Sequence, residues 1–110
     1  MKKLFIVLML ICSVVSCGQA EDTELPLILP VGAEPSSKMY NDLGIDHYRN
    51  EDYKEAVIDF VQARTADHTA GEIHFNLALT RLKLGDKDKA KNYAEMAAKL
   101  ETAALDTKMR

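Results

Sequence analysis

No proline follows Pro35, and from Ser37 onward the chain matches itself when shifted by about 34 residues. Proline locks φ and removes an N–H, so a long proline-free stretch rich in helix formers is free to run as helix. With Ser37 placed over Gly71, Asp42-Leu43-Gly44 falls over Asn76-Leu77-Ala78. Glu51-Asp52 then falls over Gly85-Asp86, Ala56 over Ala90, Asp59 over Tyr93 and Ala63 over Ala97. Each unit holds two stretches of helical periodicity parted by a turn. The spacing predicts helices over 37–50, 53–66, 71–84 and 87–104.

Local signals place the ends of these helices. Asp52 with Glu55 reads as a capping box, and Asp86 as an N-cap. Gly85 can take the left-handed conformation that ends a helix. No glycine or proline stops the last helix beyond Leu100. Tyr93, Ala97, Leu100 and Ala104 continue one face, so that helix is expected to run long. Small residues at Gly44, Ala56, Ala63, Ala78, Ala90 and Ala97 let paired helices approach, while Leu43, Phe60 and Leu77 fill the gaps.

These residues resemble the tetratricopeptide repeat. Tyr40, Leu43, Gly44, Tyr48, Tyr53, Ala56, Phe60 and Ala63 sit at or beside signature positions of the first unit. Leu77, Ala78, Gly85, Ala90, Ala94 and Ala97 do so in the second. The resemblance covers Ser37 to about Thr102 and implies an all-α domain of two stacked antiparallel helical hairpins, a right-handed superhelical arrangement. The repeats are 37–70 and 71–104, followed by a tail at 105–110. Two departures stand out. His68 and Thr102 occupy the place of the usual proline, and His47 and Arg81 a place usually aromatic.

The resemblance also implies a concave surface built from the first helix of each pair. It would present Lys38, Asn41, Ile45, Tyr48 and Arg49, then Glu72, Phe75, Leu79, Leu82 and Lys83. The expected partner-binding groove is Ile45, Tyr48, Arg49, Phe75, Leu79, Leu82 and Lys83, an apolar centre with a charged edge. The same strip reads equally as core, covered by the long last helix or by residues 25–31. The paired Lys and Asn positions of the carboxylate clamp found in chaperone-binding repeats are not reproduced. Arrays of this kind usually need about three repeats for stability. Two repeats call for a cover from the chain's own ends, from another copy or from a partner.

The stretch before the repeats divides in two. Lys2 and Lys3 precede an apolar run, Leu4 to Val15, about a dozen residues long, the length of a secretory signal. A membrane span needs roughly 20. The run ends in Val14-Val15-Ser16-Cys17-Gly18, which resembles the lipobox of bacterial lipoproteins. That resemblance implies cleavage after residue 16, lipid modification of Cys17 and, with Gly18 rather than Asp next, an outer-membrane lipoprotein facing the periplasm. The competing reading is ordinary cleavage after Gly18-Gln19-Ala20, giving a free periplasmic or secreted protein. Residues 17–36 then form a proline-containing tether. Leu25-Pro26-Leu27-Ile28-Leu29-Pro30-Val31 is too apolar for a plain linker. It reads as a strip packed on the domain beside it or, more sharply, as one that binds a partner.

Charge and chemistry narrow the function. Without the leader, 12 basic residues face 17 acidic ones and the net charge moves from −3 to −5. Nucleic-acid binding needs a concentrated basic surface, so the balance argues against it. Of the two cysteines, Cys12 lies in the apolar run, and loss of the leader leaves no thiol for a disulfide, metal or nucleophile beyond Cys17. No P-loop, HExxH or GxSxG motif occurs. The three histidines, His47, His68 and His74, read as surface or packing residues, with a metal carrier or enzyme built on them the weaker alternative, and His47 diverges from its neighbour Asp46 on a helix. The expectation is a non-enzymatic, cofactor-free module. Its expected partner is a protein, as in tetratricopeptide lipoproteins that help envelope complexes assemble, or a second copy of itself.

Overall fold

The computed structural model describes residues 24–109. The signal at 1–16, Cys17 and the first part of the tether lie outside these residues. Within them the protein is all-α: α1 (Pro35–Arg49), α2 (Tyr53–Ala66), α3 (Gly71–Lys83) and α4 (Lys87–Met109). Helices adjacent in sequence pack on one another, α1 on α2, α2 on α3 and α3 on α4. Among the described residues no helix is long and apolar enough to cross a membrane.

The helix ends follow from capping chemistry. α1 starts at Pro35, two residues before the expected Ser37. Glu34 caps it, its carboxylate accepting the Ser37 N–H at 2.6 Å. Proline at the first helical position loses no bond, because that N–H has no intrahelical partner. Gly85, at φ +82°, takes the left-handed conformation that ends α3. The Asp86 carboxylate accepts the Lys89 N–H at 3.1 Å at the start of α4. Asp52 departs from expectation. At φ −92° and ψ 68° it makes no side-chain cap bond, being short of the extended backbone usual at that position. Backbone bonds do the work there instead: Asp52 N–H donates to the His47 carbonyl at 2.8 Å and Ala56 N–H to the Asp52 carbonyl at 3.0 Å. With no glycine or proline to stop it, α4 runs on to Met109.

The buried face of α1 is Ser37, Asn41, Gly44, Ile45 and Tyr48, residues spaced at helical intervals along one stripe. Leu43 lies off that stripe and is 42% exposed, so it does not fill the core as its sequence pattern suggested. Phe60, Ala56 and Ala63 of α2 and Ile73 and Leu77 of α3 are fully buried. Phe60 lies directly on Gly44, where a Cβ would come within 2.5 Å of its ring. Ser37, also fully buried, donates its hydroxyl to the Ala63 carbonyl at 3.0 Å. The start of α1 is thereby fastened to the end of α2.

Gly44→Ala is expected to destabilise the fold by about 1–3 kcal/mol, the usual cost of overfilling a close-packed core. Thermal unfolding followed by circular dichroism checks this. An unchanged midpoint would mean that the Phe60 ring has room to move.

Candidate functional site

Residues 24–34 do not hang free as a tether. Residues 24–30 lie extended against the helices, and the polar centre of the contact is a pair of buried asparagines. Asn41 of α1 and Asn76 of α3 are both fully buried. Asn76 Oδ1 accepts the Leu27 N–H at 2.6 Å, and its Nδ2 donates to the Leu27 carbonyl at 2.9 Å. Asn41 Nδ2 donates to the same carbonyl at 3.0 Å. The two amides also meet, Asn76 Nδ2 donating to Asn41 Oδ1 at 2.8 Å. Both hydrogens of the Asn76 amide are used, and both backbone groups of Leu27 are satisfied.

The direction of the segment follows from one hydrogen bond and one nearby charge. Leu27 is bonded to Asn41, and the charge of Glu24 acts on the Tyr48 hydroxyl further along α1. Three extended residues span about 10 Å, and the seven helical residues from Asn41 to Tyr48 rise about the same. The segment therefore runs antiparallel to α1. Leu29, 3% exposed, joins the core cluster with Ile45, Tyr48 and Leu79, a burial worth about 1.5–3 kcal/mol. Pro26 is buried as well. Leu25, Leu27, Ile28 and Val31 stay exposed. A turn closed by the Ala33 N–H on the Pro30 carbonyl at 3.0 Å then leads the chain into α1.

This arrangement redistributes the residues expected to form an open groove. Ile45, Tyr48 and Leu79 are buried core, part of the same cluster that Leu29 joins. Phe75 is half-buried, while Arg49, Leu82 and Lys83 are exposed. The open concavity lies to one side, between the two ends of α3 and α4 that Gly71 brings together. It holds about 550 Å³ and is lined by Leu27, Glu72, Phe75, Ala97, Leu100 and Glu101 among others. A Cβ on Gly71 would lie 3.4 Å from the Ala97 carbonyl oxygen, in van der Waals contact with α4.

The ionisable groups mostly tie elements together. His47 diverges from Asp46 as expected but meets Asp59 of α2, Nδ1 to Oδ2 at 2.5 Å. The bond to Asp59 raises the His47 pKa, helped by the charges of Asp59, Asp52 and Glu55 and opposed by burial. His74 Nε2 bonds the His68 carbonyl at 3.0 Å, holding the turn before α3. Arg64 Nη1 donates to the Tyr93 hydroxyl at 3.0 Å, linking α2 to α4. Burial first, then the charges of Tyr53 and Glu24, push the Tyr48 hydroxyl pKa upward. Among the described residues, no three His, Cys, Asp or Glu side chains gather where they could hold a metal ion.

The sequence pattern singled out Asn41 as a surface residue and Asn76 only as an aligned position. Their signal was present nonetheless. Asparagine in a helix interior is a mediocre helix former that competes for backbone bonds, and one stands inside the first helix of each unit. No family model matches the chain, and no curated protein matches it.

Two outcomes test this geometry. Asn76→Ala strips the Leu27 N–H of its acceptor and should cost about 1–3 kcal/mol. Amide exchange at Leu27 and Leu29 should accelerate well beyond that in α2; equal protection in both proteins would show that the asparagines do not hold the segment. The His47–Asp59 pair gives a pH signature. Because the folded pKa of His47 is raised from 6.5, its contribution is full below that value and is lost as pH rises through the raised one. The melting-point gap between wild type and His47→Asn should be open at about pH 5.5 and closed by about pH 9. A pH-independent gap would rule this out.

Proposed function

We propose that the protein is a membrane-tethered, tetratricopeptide-type interaction module that helps hold a cell-envelope complex together. The observation that carries this reading is the Asn41–Asn76 pair gripping an extended backbone. Two buried amides that read main-chain groups, beside an apolar hollow, suit peptide binding rather than catalysis. The three-residue turns at 50–52 and 84–86 and the Gly44–Phe60 contact support two stacked hairpins of the tetratricopeptide kind. So does the recurrence of buried alanine at Ala56 and Ala90.

In this reading Cys17 carries the lipid and places the domain on the periplasmic side of the outer membrane. Several acyl chains, each buried CH₂ contributing about 0.8 kcal/mol, make such anchoring firm. The partner is a protein that enters the hollow between Leu27, α3 and α4, its apolar residues meeting Phe75 and Leu100. Glu72 and Glu101 on the rim favour a basic flank on that partner.

Membrane extracts from the native cell provide the test. The chain should carry an acylated Cys17 by mass spectrometry and should retain a specific envelope protein on pull-down. Ala98→Lys places a positive charge on an exposed rim position of the hollow, against the partner's basic flank, and should reduce retention by about tenfold, while leaving the stability within about 0.5 kcal/mol of wild type. Unmodified Cys17 would remove the anchor. Undiminished retention by Ala98→Lys would move the partner off the hollow.

A further inference from the structure

We propose that the Asn41–Asn76 clasp is exchangeable, and that it accepts Leu27 from a second copy of this chain to form a closed twofold pair. The proposal goes beyond the function above and does not depend on the lipid anchor. It starts from what the clasp recognises. Its polar bonds to the segment all go to the N–H and carbonyl of one residue, Leu27, and the segment's buried aliphatic side chain is Leu29. None of these groups registers which chain supplies the segment. Every contact made within one copy can be remade between two, as in any exchange of identical elements.

The connection to α1 is built to open. Val31 and Gly32 are the central residues of the turn, Val31 is 97% exposed, and nothing lies within 4 Å of a Cβ on Gly32. One backbone bond, Ala33 to Pro30, closes the turn. Pro30 and Pro35 favour extended backbone at the residues before them, so the hinge is extended on both sides of the turn. Straightened, residues 30–34 reach about 16 Å, enough to carry the segment away from its own helices.

Exchange also changes what is exposed. In the closed copy Ile28 and Val31 are 63% and 97% exposed, with no helix of their own chain to cover them. In a twofold pair the two straightened hinges cross side by side, and these side chains bury against their counterparts. The closed copy is favoured in dilute solution, since its segment is held near at high effective concentration. Crowding of copies shifts the balance to the pair.

The test uses full-length chains, one copy tagged and one untagged, co-expressed and captured on the tag. Deleting Val31 and Gly32 joins Pro30 to Ala33, removes the turn and forbids folding back. With equal amounts of the two, the deletion chain should therefore capture about one untagged copy for every two tagged ones, against a small, concentration-dependent fraction for wild type. Adding Asn76→Ala to the deletion should reduce capture by about tenfold or more. Wild-type levels of capture in the deletion chain would overturn the proposal, as would capture that survives Asn76→Ala. A second variant leaves the helices untouched. Added to the deletion, where folding back cannot compete, Leu27→Pro removes the N–H that Asn76 accepts, so two such copies should capture each other about tenfold less than two deletion copies. Equal capture would equally overturn it.

Discussion

Two asparagine side chains buried inside a helical domain set the terms for the rest of this structure. A buried amide without partners is costly, typically about 1–3 kcal/mol for each lost bond. Asn41 and Asn76 meet each other, but one bond cannot satisfy two amides. The missing partners are supplied by the main chain of Leu27. An extended backbone has both an N–H and a carbonyl to spare, which helices do not. The asparagines thus require an extended segment in the groove between α1 and α3, and the apolar residues around Leu27 provide one.

The helices are arranged to make that groove possible. Gly44 against Phe60 brings α1 close to α2, and Ser37 bonded to Ala63 holds the start of α1 in place. α2 then presents Phe60 and Ala63 to α3, whose Ile73 and Leu77 complete the core. The far end is built differently. Ala90 is the one residue of α4 that is fully withdrawn from solvent, and its last turns carry exposed Leu105 and Met109. The groove between α1 and α3 is filled by the chain's own segment, and the far end offers open apolar surface beside a hollow.

Much of this was legible from the residues. The helix count, the turns at Gly85 and Asp86 and the long last helix followed from the proline distribution and from capping chemistry. Gly44 was recognisable as a site of close helix approach and Phe60 as a core residue, but that the two meet is shown only by the packed helices. The surface assignments were harder. Ile45, Tyr48 and Leu79 share a face with Phe75, and a helix-face argument cannot say whether that face is open or covered. Leu43 illustrates the same limit: its neighbours Gly44 and Ile45 took the core-facing positions, about 100° round the helix for each residue. The His47–Asp59 pair joins two helices, and no spacing rule within one helix would have paired them.

The sequence by itself determined the local structure: where helix begins and ends, which stripe of each helix is apolar, and that residues 25–31 are too apolar for a plain linker. Those properties depend on neighbours a few residues apart, through backbone geometry and side-chain periodicity. Only the tertiary structure decided what meets across the chain. It brought Leu27 to asparagines 14 and 49 residues away, turned the expected open strip into core, and left the hollow beside Phe75 as the accessible surface. Such contacts depend on how closely whole helices approach, and that is the outcome of all the packing at once rather than of any one stretch of residues.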